Sequence, residues 1–215
     1  MERSDFTVPL RLLLVSLVVF GLLYQGSLAA IGALVFPNHA TGSPVHANGQ
    51  VVGSAEIGQE FSPHNASDAG YFWSRPSSIH YDAMRSASAN LGPTNPALSE
   101  RVRGDLRAIS QYETPNGSVP GDLVAESGSA YDAEISPAAA NYQVPRVANR
   151  TGIPPAQLYD MIDRATSQPW LGVWGHEGVN VLELNIMVRN ELDAQNATDQ
   201  NSNMNTSDRE IGEHQ

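Results

Sequence analysis

The stretch Leu12-Leu13-Leu14-Val15-Ser16-Leu17-Val18-Val19-Phe20-Gly21-Leu22-Leu23-Tyr24-Gln25-Gly26-Ser27-Leu28-Ala29-Ala30-Ile31-Gly32-Ala33-Leu34-Val35-Phe36 decides how this chain is organised. It contains no charged side chain. At ~1.5 Å per residue a helix over it covers roughly 37 Å, enough to cross a hydrocarbon core of about 30 Å with some tilt. Beyond Phe36 the chain reads as ordinary soluble protein. The expected fold is therefore a single N-terminal transmembrane helix followed by one α+β extracytosolic domain. The expected boundaries are a short cytosolic N-terminus over 1–9, the membrane helix over 10–36, the domain over 37–192 and a disordered polar tail over 193–215.

The flanks orient the helix. Arg3 and Arg11 precede the run, and the next basic residue after it is Arg75. The positive-inside bias then predicts a single-pass protein of the cell membrane, N-terminus cytosolic and body outside. Gln25 falls near mid-membrane, where its amide needs a hydrogen-bonding partner. Gly26 with Ala30, and Ala29 with Ala33, are small residues four apart, a spacing that lets a second helix approach closely. Small residues are also common in membrane helices generally. A cleaved signal peptide is the alternative, with Ser27-Leu28-Ala29-Ala30 as the processing region. The apolar run resumes at Ile31, so a retained anchor is the preferred reading.

Composition narrows the function. The chain has 215 residues, no cysteine and a net charge of -11, and all its strong bases are arginine. An acid-rich surface excludes polyanion binding as a default, so no nucleic-acid partner is expected. Acidic excess without lysine suits a high-salt habitat, where self-repulsion is screened. Without cysteine there is no disulfide framework and no thiolate metal site. Without lysine there is no Walker-type phosphate loop, no Ser-x-x-Lys nucleophile and no Schiff base. His176-Glu177 lacks the second histidine of a zinc-protease helix. No metal site and no catalytic residue are expected, although carboxylate pairs that meet only in the fold stay open. Asn65, Asn116, Asn149, Asn196 and Asn205 each begin an N-glycosylation triplet, some of them by chance in so Asn-, Ser- and Thr-rich a chain, and their use would require the body to be outside.

Local signals mark the body. Asn38 to Asn48 reads as a polar loop, and Gln50 to Ser54 as strand-like. Tyr71-Phe72-Trp73-Ser74-Arg75-Pro76 reads as a core strand with Arg75 over a ring, or as a recognition patch in which Tyr71, Phe72 and Arg75 touch a partner. Asn95 caps a helix begun by Pro96, with Leu98, Val102, Leu106 and Ile109 as its apolar stripe and Asp105 on another face. Ser136-Pro137 opens a second helix that Pro145 kinks or ends. Pro154-Pro155 starts a third, with Leu158, Met161, Ile162 and Ala165 buried. Val179 to Asn185 reads as a strand, although Leu182 breaks its alternation. From Asp193 the tail is almost wholly polar.

These motifs together resemble the C subunit of the Kdp-type, ATP-driven potassium uptake complex. The resemblance rests on the N-terminal helix ending at Phe36-Pro37, and on Gly53-Ser54 with Ile57-Gly58-Gln59. It continues through Tyr71-Phe72, Arg75-Pro76-Ser77, Asn90-Leu91-Gly92-Pro93-Thr94-Asn95-Pro96 and Val119-Pro120. It ends with Ile135-Ser136-Pro137, Gln143 with Arg146-Val147-Ala148, and Val179-Asn180-Val181-Leu182 with Leu184-Asn185. The chain departs at Ala130-Tyr131-Asp132-Ala133, where the family has Gly-Leu-Asp-Pro. The resemblance implies a non-catalytic accessory subunit that supports assembly and raises the ATP affinity of the ATP-hydrolysing subunit. It implies two partners, a channel-like potassium-translocating subunit and a P-type ATPase subunit, with no cofactor of its own and ATP acting on the ATPase subunit. It also implies that Gln143 matches a glutamine proposed to touch nucleotide, against the alternative of a helix residue bonding a neighbouring loop. The candidate partner contacts are Gln25, Gly26, Ala30, Tyr71, Phe72 and Arg75. A membrane-anchored or secreted binding module and an extracytosolic hydrolase remain the alternatives.

Overall fold

The uncharged run forms a helix because a helix satisfies the backbone groups of an apolar segment within the segment itself; the Ser27 hydroxyl adds a bond to the Leu23 carbonyl at 2.7 Å without interrupting it. The computed structural model describes residues 3–47, 49–113, 117–169 and 171–212. Its contacts divide into an anchor unit, Met1–Pro44, and a body, Val45–Gln215. In the anchor, helix α1 (Arg3–Ser16) passes into a π-helical stretch, Leu17–Tyr24, and then helix α2 (Gln25–Val35). The span Phe6–Val35 has 30 residues, and its most apolar 18-residue window has a mean hydropathy of 2.3 with none of it buried in the protein. It is thus long and apolar enough to cross a membrane. The helix starts well before residue 10 and holds Pro9 inside α1. Phe36, with φ -130°, breaks the helix, and Pro37 starts the short helix α3 (Pro37–Ala40). This and strand β1 (Pro44–Ala47) occupy the expected polar loop.

In the body, β1 pairs with β2 (Gln50–Ser54). Helix α4 (Pro96–Ser110) begins as its sequence dictates: the Asn95 side chain accepts from the Ala97 N–H, and Pro96 occupies the first turn. Its inward face is different from the expected stripe. Asp105, Ala108 and Ile109 are buried, whereas Leu106 is 38% exposed. Ser136 caps α5 (Pro137–Thr151), which runs straight through Pro145. Pro145 lies on the exposed face, so the carbonyl of Asn141, also exposed, can take its missing hydrogen bond from water. Gly152, at φ 74°, ends α5 in the left-handed conformation, and α6 (Pro155–Arg164) follows with Leu158, Met161 and Ile162 buried as expected.

A small antiparallel sheet lies between these helices in sequence. Its order is β3 (Glu134–Ile135), β5 (Gly178–Asn180) and β4 (Thr166–Ser167), with Ile135 and Thr166 both opposite Val179. The expected strand over Val179 to Asn185 is corrected: the chain leaves the sheet after Asn180 and enters helix α7 (Val181–Gly212). Val181, Leu184 and Val188 are buried at helical spacing. Asn180 Oδ1 accepts from the Glu183 N–H, as an N-cap does. In the structure the segment from Asp193 continues this helix to Gly212; residues 213–215 lie outside the described residues. Once a packed first turn has nucleated a helix, each further residue adds a hydrogen bond at little cost. The body's core gathers Phe72, Trp73, Ile109, Ile135, Val147, Leu158, Ile162, Val179, Leu184 and Val188.

Ala130 is 1% exposed and sits at φ 61°. A Cβ there costs about 1–2 kcal/mol. Ala130→Gly should raise stability by about 0.5–1 kcal/mol, the released strain less the added chain entropy. Urea unfolding of the full chain in detergent would measure this, and a lower midpoint would refute the strain.

Candidate functional site

Segment Tyr71–Ser74 carries no strand among the described residues, yet Phe72 and Trp73 are 0% and 1% exposed. Their backbone groups therefore need partners inside the protein. Side-chain amides supply them. Asn185 on α7 accepts from the Phe72 N–H at 2.8 Å and donates to the Phe72 carbonyl at 2.9 Å. Gln143 on α5 accepts from the Trp73 N–H at 2.7 Å and donates from Nε2 to the Trp73 carbonyl at 3.4 Å and the Ala139 carbonyl at 3.1 Å. Each amide imitates the neighbouring strand of a sheet for one residue.

Arg146, one helical turn beyond Gln143, locks this arrangement. Its guanidinium lies 3.6 Å from the centre of the Trp73 ring. It donates to Gln143 Oε1 at 2.7 Å, to the carbonyls of Ala69 and Tyr71 at 2.6 and 2.8 Å, and to Glu113 Oε1 at 2.8 Å. Both charged side chains are almost fully enclosed. Burial pushes the Glu113 carboxyl above its usual range, against the pull of Arg146. Burial likewise lowers Arg146, against the pull of Glu113. Both directions say that desolvation outweighs the Coulombic gain of this pair.

A second polar cluster lines a cavity of about 190 Å³. Arg75 is half-buried and pairs with Asp132 at 3.0 Å, and Arg101 pairs with Glu126 at 3.0 Å. Burial acts to raise the Glu126 carboxyl, but hydrogen bonds from Ser78 and Ala89 and the charge of Arg101 prevail and hold it low. His64 meets buried Asp105 at 3.0 Å, and His80 meets Glu60 at 3.0 Å, which raises the His80 pKa.

The structure redistributes the expected site residues. Phe72 and Gln143 are enclosed, so neither presents atoms at the surface of this fold. Tyr71 is half-buried, against Phe61. The arginines over aromatic rings among the described residues are Arg146 over Trp73 and Arg150 over Tyr112, whereas Arg75 pairs with Asp132. Gln25, Gly26 and Ala30 are exposed on α2. Glu113 escaped the sequence reading, and Arg146, Asn185 and Asp105 entered it without the roles the structure gives them. The Gln143-x-x-Arg146 spacing on one helix face was the available signal for Arg146.

Known proteins share this sequence over most of its length. The family model described as "K+-transporting ATPase, c chain", KdpC, matches residues 6–190. A potassium-transporting ATPase KdpC subunit of Halobacterium salinarum is 66% identical over 216 residues, covering 100% of each chain. One of Janthinobacterium sp. is 42% identical over 188 residues, 86% of this chain and 97% of its own. One of Synechocystis sp. is 40% identical over 195 residues, 86% of this chain and 98% of its own.

The raised Glu113 pKa makes stability depend on pH in a definite sense. Between the ordinary value of 4.5 and the raised one, the folded state holds a proton that the unfolded state has lost. This group's contribution is thus complete at low pH and is lost as pH rises through the folded pKa. Glu113→Gln should remove that decline. Unfolding midpoints of both proteins across this range should converge at low pH and separate as pH rises, and parallel profiles would refute the assignment.

Proposed function

This chain belongs to the KdpC family, the c chain of K+-transporting ATPases, and from that premise we propose that it is an accessory subunit without catalytic residues of its own. Membership makes it a subunit of a potassium-transporting ATPase complex. In the proposed role it supports assembly of that complex and raises the ATP affinity of the subunit that hydrolyses ATP. Its partners are a channel-like potassium-translocating subunit and a P-type ATPase subunit. ATP acts on the latter, and this subunit needs no cofactor. Arg3 and Arg11 support a cytosolic N-terminus and an extracytosolic body. Its effect on ATP use then travels through membrane helices as a coupling free energy.

The observation that carries a structural rather than nucleotide-binding Gln143 is its enclosure: it is 0% exposed, and both amide atoms are bonded inside the body. Gln143→Ala leaves the Trp73 N–H and an Arg146 N–H without their acceptor. The expected loss is about 2–4 kcal/mol, one to two buried donors left unpaired. Complex yield should fall while the apparent ATP affinity of the complex that still forms is unchanged. Weaker ATP affinity at full yield would overturn this reading in favour of direct nucleotide contact.

The anchor should contribute through its small residues. A Cβ at Gly26 meets nothing within 4 Å in this chain, so the substitution Gly26→Leu starts from open space at this helix face. If a partner helix packs on Gly26 and Ala30, Gly26→Leu should reduce co-purification of the complex severalfold, while Leu13→Ile should not. Equal recovery of both variants would show that this face meets lipid.

A further inference from the structure

The N-glycosylation triplets are chemically equivalent in the sequence, but the fold makes them unequal. In a helix, residues two apart point about 200° apart around the axis. Asn149 and Thr151 stand in this relation on α5, and the Thr151 hydroxyl donates to the Val147 carbonyl at 2.7 Å. Asn196 and Thr198 do so on α7, where the Thr198 hydroxyl donates to the Ala194 carbonyl at 3.0 Å. The backbone of Asn205 to Ser207 belongs to the same helix, and Asn116 lies outside the described residues.

Asn65-Ala66-Ser67 is different. It lies on an exposed loop that enters the short turn Ala66–Gly70. The Ser67 hydroxyl donates to Asn65 Oδ1 at 2.9 Å, with Asp68 Oδ1 at 3.2 Å, and the Ser67 N–H reaches the same Asn65 oxygen at 3.2 Å. Asn65 Oδ1 is thus held, while its Nδ2 makes no hydrogen bond among the described residues. Donors on Oδ1 ease loss of an Nδ2 proton, because the charge left on the amide collects on that oxygen. A substituent on Nδ2 disturbs neither of these bonds.

We propose that Asn65 is an N-glycosylation site of the folded body, singled out by the meeting of the Ser67 hydroxyl with the Asn65 amide. This inference rests on the extracytosolic placement of the body. The co-reactant is an oligosaccharide on a polyprenyl phosphate carrier, and the catalyst is a membrane transferase. A bond forms between Asn65 Nδ2 and the sugar C1, and the bond from C1 to the carrier's phosphate oxygen breaks. The phosphate leaves with the electron pair, and one Nδ2 proton passes to a base of the transferase. The glycan would extend from a polar loop of an already acidic surface, so folding does not oppose it.

The test expresses the full chain in a host whose own surface proteins carry N-linked glycans. Glycopeptide mass spectrometry is read alongside protease accessibility of the body on intact cells. The expected result is an accessible body carrying a glycan at Asn65, with Asn149 and Asn196 bare. Both Asn65→Gln and Ser67→Ala should abolish it, the latter with the acceptor asparagine intact. An accessible body with Asn65 bare, or with Asn149 or Asn196 modified equally, overturns the inference alone. A protected body without glycan overturns the membrane orientation and the inference together.

Discussion

Two carboxamides hold this body together. The buried segment around Phe72 and Trp73 belongs to no sheet, and an unpaired amide in an apolar interior costs roughly as much as several methylene groups of burial gain. Gln143 and Asn185 remove that cost from helices on either side of the segment. The rings of Phe72 and Trp73 can then fill the core with α5 and α7, and Arg146 can stack on the indole. The Arg146–Glu113 pair is a consequence of this arrangement: the guanidinium is drawn inside by carbonyls of the same segment, and Glu113 balances its charge. Since burial disfavours both ions, the pair fixes the position of the segment more than it adds stability.

This arrangement changes how the glutamine of the family resemblance is understood. A side chain whose acceptor is shared by a backbone N–H and a guanidinium has nothing left to offer a ligand without opening the core. Its importance to the subunit follows from the architecture of the folded body. Under the proposed function, an influence on nucleotide use is then indirect.

Much of the architecture was legible where a signal is local. The anchor followed from charge and length, and α4, α5 and α6 from Asn95-Pro96, Ser136-Pro137 and Pro154-Pro155, whose capping acts within one turn. Val179 to Asn185 misled because three strand residues run directly into a helix, and their apolar residues satisfy both periods over so short a window. The Asn180-x-x-Glu183 pattern at the junction was the missed cue. The burial of Asp105, and the partners that replace a strand neighbour at Tyr71 to Arg75, were illegible for another reason, although the core position of that segment was read. Both depend on side chains distant in sequence, His64 for the first and Gln143 and Asn185 for the second. No propensity at the segment itself encodes such partners. Gln143 was found by resemblance, and its role by geometry.

The Phe72–Asn185 contact joins residues 113 positions apart. A chain that emerges N-terminus first, from a ribosome or through a membrane pore, has no partner for the Phe72 backbone until the start of α7 is out. The body therefore remains open through most of its own synthesis and closes near the end, with the long-range contact as its latch. Any factor that shields apolar segments of the nascent chain has to act over that whole interval. A message truncated before α7 yields an anchor carrying an unclosed core, a species marked for degradation rather than a smaller working subunit.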